Sequence, residues 1–515
     1  MPAPKIPHDV FFLDRACPRS LQAQLREAVV SAILSGQAAA GARMPSSRKL
    51  ASHLNVARMT VTLAYQELVA QGYLEAQARS SYLVAQVDGP ITRDPAPRDG
   101  TETPDGKDRG AARQGASDGA SQTGRADWQR ILSSQLSTRR KVRKPAGWRN
   151  LPYPFVYGQM DERLFDHAAW RDCSRQALGQ RDFSDMAGDF AAADDPLLVD
   201  YIRARSLPRR GITARADEIL VTVGAQNGLW LTTELLTRRP LRAICENPGY
   251  PDTLQALRWC GADASTVDID DDGLPPSAIP DGTQAVFVTP SHHAPTGVTM
   301  SGARRTQLLA RAAEQDFIIV EDDYEFEMSF LEPPSPALKS LDRTDRVIYV
   351  GSFSKAMFPG LRLGYLVGPP EFIAEARELR AMILRHPPGH QQRTAAYFLA
   401  QGHYDRMIHT MRLEYARRRQ VLQSALDRAG LQVAGAAHFG GSSLWVQAPA
   451  DVDAAGLEAD LLAHGVLIEP GAPFFDARDG PRNYFRLGYS SITADRIEAG
   501  VQIIAARVAA LSAKR

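Results

Sequence analysis

The chain has 515 residues, 44% hydrophobic and 23% charged, the composition of a large globular protein with room for two to four domains. Its 60 Lys and Arg against 59 Asp and Glu leave a formal net charge of +1, so no overall field draws it onto nucleic acid or an acidic surface. Cys17, Cys173, Cys245 and Cys260 fall at no metal-ligand spacing and suggest no disulfide framework; with no apolar run near the ~18–20 residues of a membrane span and no signal-like N-terminus, the expectation is a cytoplasmic protein with no metal.

The first 87 residues hold nine Lys and Arg but five Asp and Glu, a local excess of +4. Leu21 to Leu34 carries apolar residues at a helical period and ends at Gly36. Pro45 opens a second helix, Ser46 to Leu54, with serines placed to cap it. Asn55 and Val56 make a tight turn, and a third helix runs from Arg58 to Ala70, stopping near Gly72. Tyr73–Glu75 and Tyr82–Val84 read as a short β-hairpin. Two helices joined by a short turn, with Arg43, Ser46, Ser47, Arg48, Arg58 and Thr60 near the turn and the helix starts, fit a helix-turn-helix that contacts DNA phosphates. From pattern alone a plain three-helix interaction module fits equally well. The run Gly41 to Ala51, then Arg58 to Tyr65, Leu68 and Gly72-Tyr73, resembles the GntR-family winged helix over residues 15–86. Ala57 stands where that family often has Ser, and Ser80-Ser81-Tyr82 replaces its Gly-rich wing tip.

From Asp88 to about Asp127 Ile91 is the only large apolar residue, and such a stretch cannot bury enough surface to offset its ordering entropy. Trp128 to Leu136 could start a short helix. The basic run Arg139 to Lys144 reads as a solvated linker end, or else as an auxiliary phosphate contact on DNA. The expected division is a DNA-binding domain over 1–87, a flexible linker over 88–149 and a ligand-binding domain over 150–515.

Beyond the linker, short Val/Ile-rich runs alternate with helical stretches: Glu218–Val223, Leu241–Cys245, Ala285–Thr289, Phe317–Val320, Val347–Gly351 and Tyr365–Val367. This predicts an α/β domain with a mostly parallel sheet covered on both faces, followed by a smaller α+β lobe. Lys355, in Ser352-Phe353-Ser354-Lys355, directly follows one such strand, where α/β proteins bind ligands. A partly desolvated lysine loses its proton more readily and can form a Schiff base with an aldehyde. Ser352, Ser354 and Arg362 suit a phosphate. So does the small-residue turn Val223-Gly224-Ala225-Gln226, which opens a helix. Asp322, at a strand end, suits a pyridinium nitrogen. Tyr250 offers a ring to stack on the cofactor, and Arg486, in an otherwise apolar strand, calls for an anion.

The order and spacing of these elements resemble fold type I pyridoxal-phosphate enzymes, the aminotransferase superfamily, over about residues 150–512. Joined to the winged helix-turn-helix, the whole resembles a MocR-type regulator. The resemblance implies pyridoxal 5′-phosphate held as an internal aldimine on Lys355, with Asp322 on the pyridine nitrogen, Tyr324 on the phenolic oxygen and Tyr250 on the ring. It gives the phosphate to Ala225, Gln226, Ser352, Ser354 and Arg362, and an effector's acid group to Arg486. It also implies a homodimer with exchanged heads. Ala294 stands where aminotransferases usually have Asn before Pro-Thr-Gly; MocR-type regulators commonly lack that Asn too, and this favours a sensor over an efficient enzyme. His293 stands where those regulators often have Gln, and Asp252 stands where some place a second effector-binding Arg.

Three functions follow from the resemblance. The favoured one is a transcription regulator that binds double-stranded operator DNA and senses a small amino compound through an external aldimine at Lys355. The second is a regulator of vitamin B6 metabolism for which pyridoxal phosphate is itself the signal. The third is a working aminotransferase with a DNA-binding appendage, for which the main catalytic groups are present.

Overall fold

The computed structural model describes residues 6–13, 15, 20–34, 38–70, 72–77, 81–85, 128, 132, 136, 141–142, 144–189, 191–332, 335–435, 440–476 and 480–513. The chain divides into two compact units, Met1–Thr123 and Gly124–Arg515. Most of the expected linker lies outside the described residues, as does most of the expected helix Trp128–Leu136.

In the first unit three helices, α1 (Leu21–Leu34), α2 (Ser47–Leu54) and α3 (Arg58–Ala70), precede a hairpin of β1 (Leu74–Gln77) and β2 (Ser81–Val84). Leu25 and Val29 of α1, Leu50 of α2, and Val61, Ala64, Tyr65 and Leu68 of α3 are buried in one core with Leu74 and Val84. Their helical spacing is what draws three short helices together, since helices of this length gain most of their stability from packing. Ser46 caps α2 by accepting from the Lys49 N–H at 3.3 Å. Pro45 thus precedes the cap rather than opening the helix, and its carbonyl accepts from the Tyr65 hydroxyl at 3.0 Å. Asn55 closes α2 in the left-handed region at φ 51°, which asparagine tolerates because its short side chain bonds locally. β1 and β2 pair antiparallel, Leu74 opposite Val84, the two ends of the hairpin that face the core.

The second unit is built on a seven-stranded sheet: β3 (Ile219–Thr222), β4 (Arg242–Asn247), β5 (Asp263–Asp268), β6 (Ala285–Val288), β7 (Ile318–Asp323), β8 (Val347–Ser352) and β9 (Gly364–Val367). The spatial order is β3-β9-β8-β7-β6-β4-β5. Six strands run the same way, and β9 lies antiparallel between β3 and β8. The inner strands are buried on both faces, which is why they read as continuous apolar runs. One face packs under α4 (Ala225–Leu236), α5 (Pro251–Trp259) and α7 (Pro370–Leu384) through Leu229, Leu257 and Ile373. On the other face Ile244, Val286 and Ile319 meet Leu308 of α6 (Gly302–Gln315), and Val221, Tyr349 and Tyr365 meet the main core. That core extends through α8 (His403–Ala429) and α9 (Ala494–Ser512) to a four-stranded sheet of β10 (Gln432–Val433), β11 (Ser443–Gln447), β12 (Glu469–Pro470) and β13 (Tyr484–Gly488), ordered β10-β11-β13-β12.

Two differences from the sequence reading have simple causes. β5 was not expected: it is an edge strand, largely solvent-facing, with Asp, Ser and Thr in place of an apolar run. β7 continues through Glu321, Asp322 and Asp323, whose charges hide a strand from any hydrophobic pattern.

Candidate functional site

The parallel strands deliver their C-terminal ends to one edge of the sheet, and a cavity of about 450 Å³ opens there. All ten residues expected at the cofactor and effector site line it. β8 leads into Ser352, Ser354 and Lys355, β7 supplies Asp322 and Tyr324, and the turn after β3 supplies Ala225 and Gln226 at the start of α4. Tyr250 stands just before α5, Arg362 just before β9, and Arg486 within β13. Ala294 lines the same cavity, so a methyl group stands where an asparagine side chain would offer a donor.

Lys355 is at the centre. Its Nζ lies 4.2 Å from the Tyr157 ring centroid. Burial lowers its pKa from 10.5 to about 8, although Glu325 pulls the other way. Glu325 is itself buried, hydrogen-bonded to Ser442 and, at 3.3 Å, to the Tyr157 hydroxyl. Gly158, at φ +70°, allows this packing: a Cβ there would stand 2.2 Å from the lysine Nζ.

Asp322 is buried, and its Oδ1 has no hydrogen-bond partner. Burial, reinforced by Asp323, raises its pKa to about 7, and Lys355 acts against the rise. Asp323 faces the other way. Burial works to raise its pKa as well, but Arg210 (2.6 Å), Ser291 and Tyr349 (2.9 Å) hold it below the usual range. Beneath Asp322, Glu246 accepts from the Thr289 N–H and hydroxyl, and burial lifts its pKa to about 8.

Elsewhere on the cavity wall, Ser354 Oγ is buried without a partner, and Ser352 Oγ accepts from the Ser354 N–H at 3.2 Å. Arg362 donates to the Val223 carbonyl at 3.2 Å and lies so close to Gly224 that a Cβ there would meet its guanidinium carbon at 3.1 Å. The Tyr250 hydroxyl donates to Gln226 (2.9 Å) and Asp252 (3.2 Å). Tyr324 turns its hydroxyl to the His292 carbonyl at 2.9 Å. His292 and His293 are buried, and burial lowers their pKa values to about 4 and about 3, so both are neutral.

Arg486 does not face the cavity as a lone cation. Its Nε and Nη2 both donate to one oxygen of Glu469, at 2.9 and 2.7 Å. Tyr157, Glu469, Phe474 and the basic pair Lys141 and Lys144 also line the cavity, and sequence reading assigned none of them to it. The Tyr157-Gly158 pair, an aromatic beside a glycine at the start of the second unit, was the one available signal. Lys141 and Lys144 belong to the basic run read as a linker end or a DNA contact; Arg139, Arg140 and Arg143 lie outside the described residues.

In the first unit, Arg43, Ser46, Arg48 and Arg58 are exposed, and Ser47 and Thr60 are half-buried. Arg58 Nε donates to Ser47 Oγ at 3.4 Å, so the starts of α2 and α3 meet. Met59 and Leu63 are 64% and 40% exposed on α3, opposite its buried Val61, Ala64 and Leu68. Their place in the helical period marks them as further candidates, since apolar side chains on such a helix contact thymine methyl groups.

Two family models match: "Bacterial regulatory proteins, gntR family" over residues 21–84, and "Aminotransferase class I and II" over residues 198–504. The chain is 49% identical over 502 residues to the HTH-type transcriptional regulator TauR of Rhodobacter capsulatus, covering 97% of this chain and 99% of that one. The chain belongs to the MocR-type GntR transcription regulators. This MocR-type regulator is also 29% identical over 414 residues to the probable rhizopine catabolism regulatory protein MocR of Rhizobium meliloti, 79% of each chain. Its second unit is similar to the crystal structure of LysN, an alpha-aminoadipate aminotransferase of Thermus thermophilus complexed with N-(5'-phosphopyridoxyl)-L-leucine. The TM-score is 0.63 at 26% identity, covering 70% of this chain and 93% of that one.

The regulator is therefore a DNA-binding protein whose second unit has the fold of fold type I aminotransferases, and its cofactor is pyridoxal 5′-phosphate. The cavity fits that group. The unpartnered Asp322 Oδ1 and the unpartnered Ser354 Oγ stand at separate places on its wall, the first suited to a ring nitrogen and the second to a phosphate. No helix among the described residues is long and apolar enough to cross a membrane.

Proposed function

We propose that this regulator senses a small amino compound with pyridoxal phosphate and transmits its presence to operator DNA bound by the winged helix-turn-helix. The observation that carries this reading is the state of Lys355. An amine with a pKa of about 8 is largely protonated at neutral pH, yet holds an appreciable neutral fraction, unlike a lysine at 10.5. When bound, the cofactor supplies an aldehyde that condenses reversibly with primary amines. Lys355 is the resident amine, and an arriving amino compound competes with it. Asp322 meets the ring nitrogen as a carboxylate, and Ser352, Ser354, Arg362 and the amides of Ala225 and Gln226 hold the phosphate. Tyr250 would cover the ring, and Tyr324, whose hydroxyl donates to the His292 carbonyl at 2.9 Å, would serve the phenolic oxygen. Ala294 offers that oxygen no donor, which favours signalling over turnover.

Arg43, Ser46, Ser47, Arg48, Arg58 and Thr60 contact the DNA backbone, with α3 in the major groove. The DNA-binding domain is residues 1–87, and the effector domain begins before residue 150, since Lys144 already donates to the Tyr157 carbonyl at 2.7 Å and lines the cavity. The working form is a homodimer with exchanged heads. Met382 and Ile383, 85% and 53% exposed on α7, suit a covered face better than a wet one.

The test is the absorption spectrum of the protein with pyridoxal phosphate, titrated with amino acids and amines. An amino compound should convert it to a stable new species, and Lys355→Ala should abolish the effector response while leaving operator binding intact. Conversion to the pyridoxamine form, reversed by a 2-oxo acid, would instead establish an aminotransferase. No response to any amine would leave pyridoxal phosphate itself as the signal.

A further inference from the structure

Three carboxyl groups act on the amine of Lys355: Asp322 and Glu469, which line the cavity with it, and Glu325, which does not. Two of them are committed. Glu469 takes both donors of Arg486, at 2.9 and 2.7 Å. On the reading above, Asp322 meets the ring nitrogen of the cofactor. Glu325 remains.

Glu325 directly follows Tyr324 at the exit of β7 and is 4% exposed. Among the described residues it forms no ion pair: its carboxylate accepts from the Ser442 hydroxyl and, at 3.3 Å, from the Tyr157 hydroxyl. The other titratable groups near it, Tyr324, Tyr415 and Tyr489, are neutral phenols. A buried carboxylate served by neutral donors alone is costly, so a cation within reach is drawn to it. Lys355 supplies that cation. The Tyr157 ring carries the lysine Nζ over its face, 4.2 Å from the centroid, while its hydroxyl holds the carboxylate. One phenol thus sets the spacing of the two charges, and a ring face attracts a cation by itself. Arg486 lies over the same ring at 3.8 Å, but Glu469 already matches it. Lys144, on the Tyr157 carbonyl at 2.7 Å, adds only a like charge. Burial raises the pKa of Glu325 against the pull of Ser442 and Lys355, and burial lowers that of Lys355 against the pull of Glu325.

We infer that Glu325 is the counter-charge of Lys355, a positioning residue that holds the free lysine as an ammonium and thereby retains a bound amino compound. This rests on the amine-sensing reading above. When an ammonium compound displaces Lys355, its nitrogen bonds to the aldehyde carbon of the cofactor and the bond from that carbon to Nζ breaks. Two of the three protons on the incoming nitrogen pass to Nζ, which already carries one, and the lysine leaves as an ammonium. An ammonium is not a nucleophile, so the charge that Glu325 favours blocks the return step. The same charge slows first capture of the cofactor, which needs the neutral amine. Glu325 therefore acts in opposite directions on the two events, whereas a residue that merely shaped the pocket would weaken both on removal.

The test uses the full chain and Glu325→Gln, whose amide oxygen can accept from Ser442 and whose NH2 can donate to the Tyr157 hydroxyl. Capture of pyridoxal phosphate by the cofactor-free protein, followed by stopped-flow absorbance, should level off about one pH unit lower than in the wild type and run about fivefold faster at pH 7. The loaded protein is titrated with glycine, 3-aminopropanoate and n-propylamine. Whichever of them alters the wild-type spectrum should bind the variant about fivefold more weakly, since the released lysine is less often protonated. Glu325→Asp should keep both readouts near those of the wild type. An inflection that Glu325→Gln leaves in place, a Glu325→Asp inflection displaced as far as that of Glu325→Gln, or slower capture together with weaker amine binding overturns the assignment. A wild-type spectrum that none of the three compounds alters counts against the sensing reading and removes the retention half, while the inflection alone still decides the counter-charge.

Discussion

Gly158 and Lys355 are in such close approach that a single methyl group on the glycine would fall 2.2 Å from the lysine ammonium. The glycine also sits at φ +70°, which side-chain-bearing residues adopt at a cost of about 1 kcal/mol or more. Gly158→Ala should therefore displace Lys355 from the cavity. The expected outcome is at least a roughly tenfold weaker hold on pyridoxal phosphate with near-native circular dichroism. An unchanged cofactor titration would show that the lysine side chain has room to retreat.

The lowered pKa of Lys355 sets a pH dependence for cofactor capture by the cofactor-free protein. Only the neutral amine is a nucleophile, and its fraction rises about tenfold per pH unit below the pKa. The capture rate should climb from pH 6 and level off near pH 8, where an ordinary lysine would climb on past pH 10. Stopped-flow absorbance across that range reads the inflection directly. The same shift acts on stability: the unfolded chain keeps its proton to a higher pH than the folded one, so this group's penalty is full below about pH 8 and disappears as pH approaches 10.5.

Arg58→Ala should weaken binding to an operator selected from random duplexes and lower the slope of log affinity against log salt by about one, as for the loss of one phosphate contact. The cofactor spectrum should not move. Unaltered operator affinity would remove the start of α3 from the DNA interface.

Glu469→Ala leaves Arg486 buried with its charge unmatched. Breaking one side of a buried pair costs about 3–5 kcal/mol, so the urea midpoint of the second unit should fall well below that of the wild type. A midpoint within experimental scatter would mean that solvent or another group takes over the guanidinium.

The cofactor end of this cavity was legible because each residue follows a strand, and strand ends in a parallel sheet gather at one edge. Ser352 ends β8 with Ser354 and Lys355 just after it, and Asp322 lies at the end of β7 with Tyr324 just after it, so local pattern and chain order sufficed. The end of the cavity lined by Glu469 and Arg486 was less legible. Glu469, Tyr157 and Lys144 come from segments whose approach depends on how the smaller lobe packs, and nothing in their spacing marks them. The basic run ending at Lys144 reads the same whether it faces solvent, DNA or a cavity wall, because composition carries charge but not direction. Arg486 was found as a residue in need of an anion, but the anion is supplied from within, by the neighbouring strand β12.

β7 carries acids on both of its faces. Asp322 looks into the cavity, and the next residue, Asp323, is gripped from behind by Arg210 and Tyr349. Arg210 is fully buried and does not line the cavity. A genetic screen for variants blind to the cofactor would therefore recover changes at Arg210 alongside those in the chamber. Such a hit would report the loss of a backstop that keeps the strand in register, and would otherwise pass for a binding defect.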